Sequence, residues 1–278
     1  MLHDDKQTFE QFILKTSDYL GVTAEIIEKR LFCYTVSECY DIIKRFSEES
    51  ENKPSESKRK QIKASIIKVI DNLHFNLINA DNVRSRREYN RYVIDYPSSL
   101  SASYLKEHLI VETAVYQRAY PTKKMTADSL IYRFISQNGY DDFIIRNNLQ
   151  PFELNVQTTE RTMIDKLFAL ADYYLLGTTS EHSRHIYDIF KLSEIVDIDE
   201  TLKDLAVSVA NERKPHKMSL SVQDGADIKN ILKEIISKNI YKENYENITL
   251  PLLFETVSYE QAVAALSDIL EKGLFNKI

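Results

Sequence analysis

The hydrophobic period of this chain changes twice, and that constrains the fold more than any other feature. In the first third, TFEQFILKTSDYL sets Phe9, Phe12, Ile13 and Leu20 at helical spacing. Thr23 caps a short helix AEIIEKRL, and residues 37–46 read as another. ENKPSESK (51–58) is a polar turn around Pro54, and KRKQIKASIIKVIDNL then forms an amphipathic helix through Ile62, Ile66, Ile70 and Leu73. Between Tyr89 and Gln157 the period drops to two. YNRYVIDYP (89–97) alternates, HLIVETAVYQRAYP (108–121) is rich in β-branched and aromatic residues, and PFELNVQT reads as a third strand. TADSLIYRFISQNG between them reads as a helix with a threonine N-cap and a glycine stop, giving one small sheet with an intervening helix. From Arg161 onward the 3.6-residue period returns in five segments, the last opening with the capping box Ser258–Gln261. The expected class is α+β: a mixed domain over 1–157, then a helical domain over 158–278.

The 278 residues are 43% hydrophobic with a net charge of −6, an ordinary globular balance. A mildly acidic chain is not a bulk polyanion binder, so any nucleic-acid contact has to come from a local basic patch. Two segments offer one, SKRKQIK (57–63) and VRSRREYNR (83–91), and both also read as solvated faces. Cys33 and Cys39 form neither a disulfide framework nor a zinc pattern, no run reaches the length of a membrane span, and MLHDDKQ is not a signal peptide. A reducing cytoplasm is the expected location.

The residues able to do chemistry lie in two places. RTMIDKLFALADYYLL and EHSRHIYDIFKLSEIV face each other across GTTSEHS. The first carries Arg161 and Lys166, the second Arg184, His185 and Asp188. Lys166, flanked by Ile164, Leu167 and Phe168, suits either a phosphate or simple snorkelling to solvent. Arg184 and Asp188 are i, i+4 and can pair on the surface. His182, His185 and Asp188 fan around their helix, which argues against a zinc site. The second place is RFSEESE (45–51), whose carboxylates make either a metal-binding loop or a solvated helix end. Glu112 in LIVET is either a third metal carboxylate or a solvent-facing strand residue.

The run TERTMIDKLFALADYY…SRHIYDIFKL resembles the C-terminal signature of the AbiEii/AbiGii-type, MenT-like toxin nucleotidyltransferases, in which a helix lysine precedes an R-(H/D)-x-Y-D-L helix. CYDIIKRFSEESE resembles that family's motif close to CYxxIxRFSEDID, and RYVIDYPSS and SYLKEHLIVETAVYQRAYP resemble its middle strands. The likeness spans about 8–30 and 35–275. It implies a nucleotidyltransferase-like α+β domain and a helical C-terminal domain. It also implies a toxin of a type IV toxin–antitoxin or abortive-infection (phage-defence) system, moving a nucleotide from an NTP to an RNA acceptor, tRNA by resemblance. Lys166 would contact the triphosphate, Asp188 would orient Lys166 or the acceptor, and Ser47 matches the serine before the acids. Glu49 and Glu51, helped by Glu112, would hold Mg²⁺; Arg45, Arg184, Thr35 and Ser37 would face nucleotide or RNA. A cognate antitoxin protein is the implied partner.

The chain departs from the family at three points. Where the family has a Gly-Gly-Thr/Ser turn, it reads Phe32-Cys33-Tyr34-Thr35, and the segment near 30–36 is shortened. Glu49 and Glu51 replace an aspartate pair, and Ser50 replaces an apolar residue. These departures support a second expectation: a degenerate homologue that binds nucleotide, RNA or protein without transfer.

Overall fold

A computed structural model of the chain describes residues 2–35, 55–100, 108–114, 121–253 and 255–278. They form two compact units, one of residues 1–118 with 123–156, the other of 119–122 with 157–278.

In the first unit α1 (Lys6–Leu20) begins at Asp5, whose carboxylate accepts from Thr8 N–H at 3.1 Å, and ends at Gly21. Gly21 closes it with φ 64°, a left-handed conformation that costs glycine nothing. α2 (Ala24–Thr35) and α3 (Glu56–Asn72) follow, the latter capped by Ser55. α3 turns Ile62, Ile66 and Ile70 inward at the expected spacing. β1 (Asn76–Leu77), β2 (Tyr89–Asp95) and β3 (Leu109–Ala114) form an antiparallel sheet in that order, with Tyr92 opposite Val111 and Ile94 opposite Leu109. Asn90, Tyr92 and Ile94 are buried from β2, and Leu109, Val111 and Thr113 from β3, as a pleat with one face on the core requires.

The expected single sheet is two. β4 (Thr122–Ala127) and β5 (Phe152–Gln157) pair as a separate two-stranded sheet around α4 (Leu130–Gln137) and α5 (Asp141–Arg146). The middle helix starts later than the threonine N-cap implied, because Thr126 lies in β4 and the cap is Ser129, which accepts from Tyr132 N–H at 3.0 Å. β4 carries no apolar alternation, TKKMTA being exposed along its middle, so nothing in its pattern marked it as a strand. The long strand expected over 108–121 is described only as Leu109–Ala114; 115–120 lie outside the described residues, as do the helix expected at 37–46 and the start of the Pro54 turn.

The core of this unit contains Phe9, Ile13, Phe32, Ile66, Ile70, Phe75, Ile94 and Ile131. Phe32 sits at the position of the family's glycine turn. Its ring lies 5.5 Å from those of Phe9 and Phe75 and 4.5 Å from Tyr96, and none of it is exposed. The expected turn is therefore the last turn of a helix whose side chain is packed into the core.

The second unit is built around α6 (Thr159–Leu175), which starts at the N-cap Thr158. It buries Met163, Ile164, Leu167, Phe168, Leu170 and Ala171, a stripe too wide for a surface helix. Packed on it are α7 (Arg184–Ser193), α8 (Glu200–Arg213), α9 (Ile228–Ser237) and the 3₁₀ turn Leu220–Val222; α10 (Tyr259–Glu271) covers α7. The α10 capping box is present in full. Two arginines are buried inside this unit. Arg161, 2% exposed, bonds Asp165 at 3.0 Å and Glu212 at 2.8 Å. Arg213 bonds Asp165 at 3.3 Å and Asp172 at 2.8 Å, and the Ser221 N–H donates to the other Asp172 oxygen at 2.7 Å. All five glycines of the chain have positive φ, four within two residues of a helix end and Gly225 in the loop before α9.

Candidate functional site

The α6–α7 pair brings Lys166 and Asp188 together. Lys166 stands in the N-terminal half of α6 between core residues, so its stem is covered and its ammonium emerges at the rim. Nζ donates to Asp188 Oδ2 at 2.6 Å, with the two side chains 23% and 34% exposed. Partial exclusion of water makes this pair stronger than a surface one. The i, i+4 spacing had offered Asp188 to Arg184; Asp188 instead pairs across the helices, and Arg184 is exposed at the start of α7.

His185 was not among the expected catalytic or binding residues. Its Nδ1 lies 3.5 Å from Lys166 Nζ and 3.9 Å from Asp188 Oδ2. Burial, reinforced by Lys166, Arg184 and His182, pushes its pKa down to about 3, so the ring is neutral. A lysine ammonium has only donors, so Nδ1 is the acceptor facing it and Nε2 carries the proton. Behind it the rings of Tyr173 and His182 stack 3.5 Å apart at 6°, and Tyr173 and His185 are within 4° of parallel at 5.8 Å. The arrangement is a fixed cation at the rim, held by one carboxylate and one neutral imidazole. Spacing did not show the pairing across 22 residues, which the resemblance offered as one of two roles for Asp188.

The buried arginines were half legible. Arg161 and Asp165 are i, i+4 in RTMID, but Asp172 and Arg213 are 41 residues apart and no pattern joins them.

The other expected site residues divide. Glu112 stands on the exposed face of β3, opposite Arg91, and its Oε1 accepts from the Tyr89 hydroxyl. Thr35 is the last residue of α2. Ser37, Arg45, Ser47, Glu49 and Glu51 lie outside the described residues. Among the described residues no three His, Cys, Asp or Glu side chains come together as a metal site. The donor type of Glu112 suits a hard divalent cation, but one carboxylate already bonded to a phenol makes no site by itself. No described helix is long and apolar enough to cross a membrane.

Residues 36–270 match the sequence model of a family described as nucleotidyl transferase AbiEii toxin, type IV toxin–antitoxin system. The match begins one residue past Thr35, where the helix replaces the glycine turn, and leaves residues 8–30 outside it. Neither curated proteins nor solved structures give a significant match. The match covers well over half of the chain and both structural units, and the chain belongs to the AbiEii family of nucleotidyltransferase toxins of type IV toxin–antitoxin systems.

Proposed function

We propose that this protein transfers a nucleotidyl group from an NTP to the 3′ end of an RNA, of tRNA class, and that Lys166 is the residue that holds the triphosphate. The observation that carries the reading is the pre-formed Lys166–Asp188 pair with its neutral histidine neighbour, in a chain of this family. In the step proposed, the RNA hydroxyl oxygen bonds to the α-phosphorus as the bond from that phosphorus to the β-phosphate bridge oxygen breaks. Pyrophosphate leaves and the hydroxyl proton passes to a base. Lys166 stabilises the charge that grows on the leaving oxygens, and Asp188 keeps the ammonium in place, which removes the entropy of ordering it during the reaction. Glu49 and Glu51, with Glu112, are the proposed carboxylates for Mg²⁺, and Arg45, Ser47, Arg184, Thr35 and Ser37 are proposed contacts to nucleotide or RNA. Bound Mg²⁺ would supply a Lewis acid for the phosphate oxygens. The proposed partner is an antitoxin protein, and the proposed role is abortive infection in phage defence.

The second reading is a relative that binds without transferring. The observation in its favour is Phe32, buried in a helix where a glycine turn would approach phosphates. Incubation with Mg²⁺, total tRNA and each labelled NTP separates the two. Transfer predicts label in RNA, lost at least a hundredfold in Lys166→Ala and in Glu49→Ala, an effect typical of removing one transition-state contact. Absence of label with every NTP, from protein with a cooperative unfolding transition, selects the binding reading.

A further inference from the structure

The two basic segments, twenty residues apart in sequence, are one surface. Lys63 on α3 donates Nζ to the carbonyl of Val83 at 2.8 Å, which seats the arginine loop against the helix. Arg59 and Lys60 stand one helical turn from Lys63. On the other side the buried Asn90 of β2 clamps the backbone of Arg84, accepting from its N–H at 2.8 Å and donating to its carbonyl at 3.1 Å. A turn closes from Arg87 N–H to Arg84 O at 3.0 Å, and Arg87 Nη1 reaches Asn82 O at 3.0 Å. The loop backbone is therefore fixed by the Asn90 amide, by the Lys63 ammonium and by the turn at Arg87, while Lys60, Arg84, Arg86 and Arg87 remain exposed.

The charge is concentrated. Residues 56–63 and 83–91 hold eight cations and two carboxylates, a net +6 in a chain of −6, so all other residues together carry −12. Placement adds to this. Lys58, Arg59 and Lys60 lie near the N-terminus of α3, where the helix dipole is already positive and cations oppose folding. The three cations there outnumber the single acid of the first turn, Glu56, which pairs with Lys60 at 3.2 Å while both stay exposed. An RNA acceptor presents a row of phosphates, and exposed cations on a pinned backbone meet that charge without reading bases.

We propose that this α3–arginine-loop surface, centred on Lys60, Arg84, Arg86 and Arg87, is the docking site for the sugar–phosphate backbone of the RNA acceptor. The proposal rests on the reading of the protein as an enzyme acting on RNA, and places the acceptor's contact on the first unit.

The test measures binding of a fluorescent tRNA transcript against KCl for the full chain and for Lys60→Ala/Arg84→Ala/Arg86→Ala. The expected result is roughly tenfold or greater weakening at 0.1 M KCl and a log–log salt slope reduced by about 2, three phosphate contacts being lost. Lys60→Arg/Arg84→Lys/Arg86→Lys keeps the charge and should keep the slope, and urea midpoints equal to the parent's show that the variants fold. Unchanged affinity and slope in the alanine variant overturns the proposal. So does tighter binding of the parent to phosphatidylglycerol vesicles, or to poly-glutamate as a stand-in for an acidic protein, than to RNA. Label transfer is followed in the same preparations. Transfer with an unchanged salt slope sinks the docking surface and leaves the enzyme reading standing; a lowered slope without transfer does the reverse.

Discussion

The two units use arginine in opposite ways. In the second unit Arg161 and Arg213 are buried, and their guanidinium groups are matched by Asp165, Asp172 and Glu212. In the first unit Arg84, Arg86 and Arg87 are exposed, and what is matched is the backbone that carries them, by the neutral Asn90 amide and the Lys63 ammonium. A buried cation next to carboxylates has its charge consumed inside the molecule. An exposed cation on a pinned backbone keeps its charge for a partner. Composition cannot tell these apart, because both are arginines near acids in the sequence.

The largest expected break in that contrast is Arg213→Met. It leaves Asp172 buried with only the Ser221 N–H, and the urea midpoint should fall by an amount corresponding to about 3–5 kcal/mol. Arg213→Met with Asp172→Leu should recover part of the loss, since no buried charge is then unpaired. A loss below about 1 kcal/mol for the single variant would mean that the pair is not buried in solution.

Next comes His185, the neutral group among the cations of the second unit. Below pH 6.5 the unfolded chain takes up a proton that the folded ring refuses until about pH 3, so stability falls as the pH falls through that window. At pH 5 the loss should be roughly 2 kcal/mol, about 1.4 for each pH unit below the unfolded value. His3, its pKa also lowered by burial, adds a slope of the same sign in the first unit. His185→Gln keeps a hydrogen-bonding group beside Lys166 and should remove only its own share, seen as a shallower dependence of the melting temperature between pH 7 and 5.

The smallest effect is Asn90→Ala, which unpins the arginine loop. Leaving the Arg84 amide without its partner, and the Arg84 carbonyl with only the Arg87 N–H, should cost about 1–2 kcal/mol. Replacing Arg84 and Arg86 themselves should stay within about 0.5 kcal/mol, because their charge makes no internal contact on which the fold depends. Equal losses for the two changes would erase the distinction between the units.

The helices were legible because they bury a stripe: Ile62, Ile66 and Ile70 in α3, and the Ser258–Gln261 box at the start of α10, stand in the sequence as they stand in the fold. β4 was not, because TKKMTA lies mostly in solvent and its partner strand, not its own pattern, makes it a strand. In the candidate site the helix pair was legible from its family signature and its period. The Lys166–Asp188 bond came only from the resemblance, as one of two roles for Asp188; spacing favours the neighbour Arg184, and packing of α6 on α7 decides otherwise. His185 was named from the sequence but given no role, because its neutrality comes from burial, which no local pattern records. The phenylalanine in place of the family's glycine was visible, but its meaning was not. Phe32 does not merely fill an old turn; it is packed against Phe9, Phe75 and Tyr96.

All five glycines are committed to reversing the chain. No sixth is available to fold main-chain amides around an oxyanion as a glycine-rich cradle does. On the readings proposed above, oxyanions are met by ammonium and guanidinium groups on long stems. Such recognition is adjustable and tolerant of shape, and it fades as simple electrolyte is added. An amide cradle, being uncharged, responds to salt far less. If the proposed contacts hold, ionic strength is a dial on how firmly this protein grips its ligands.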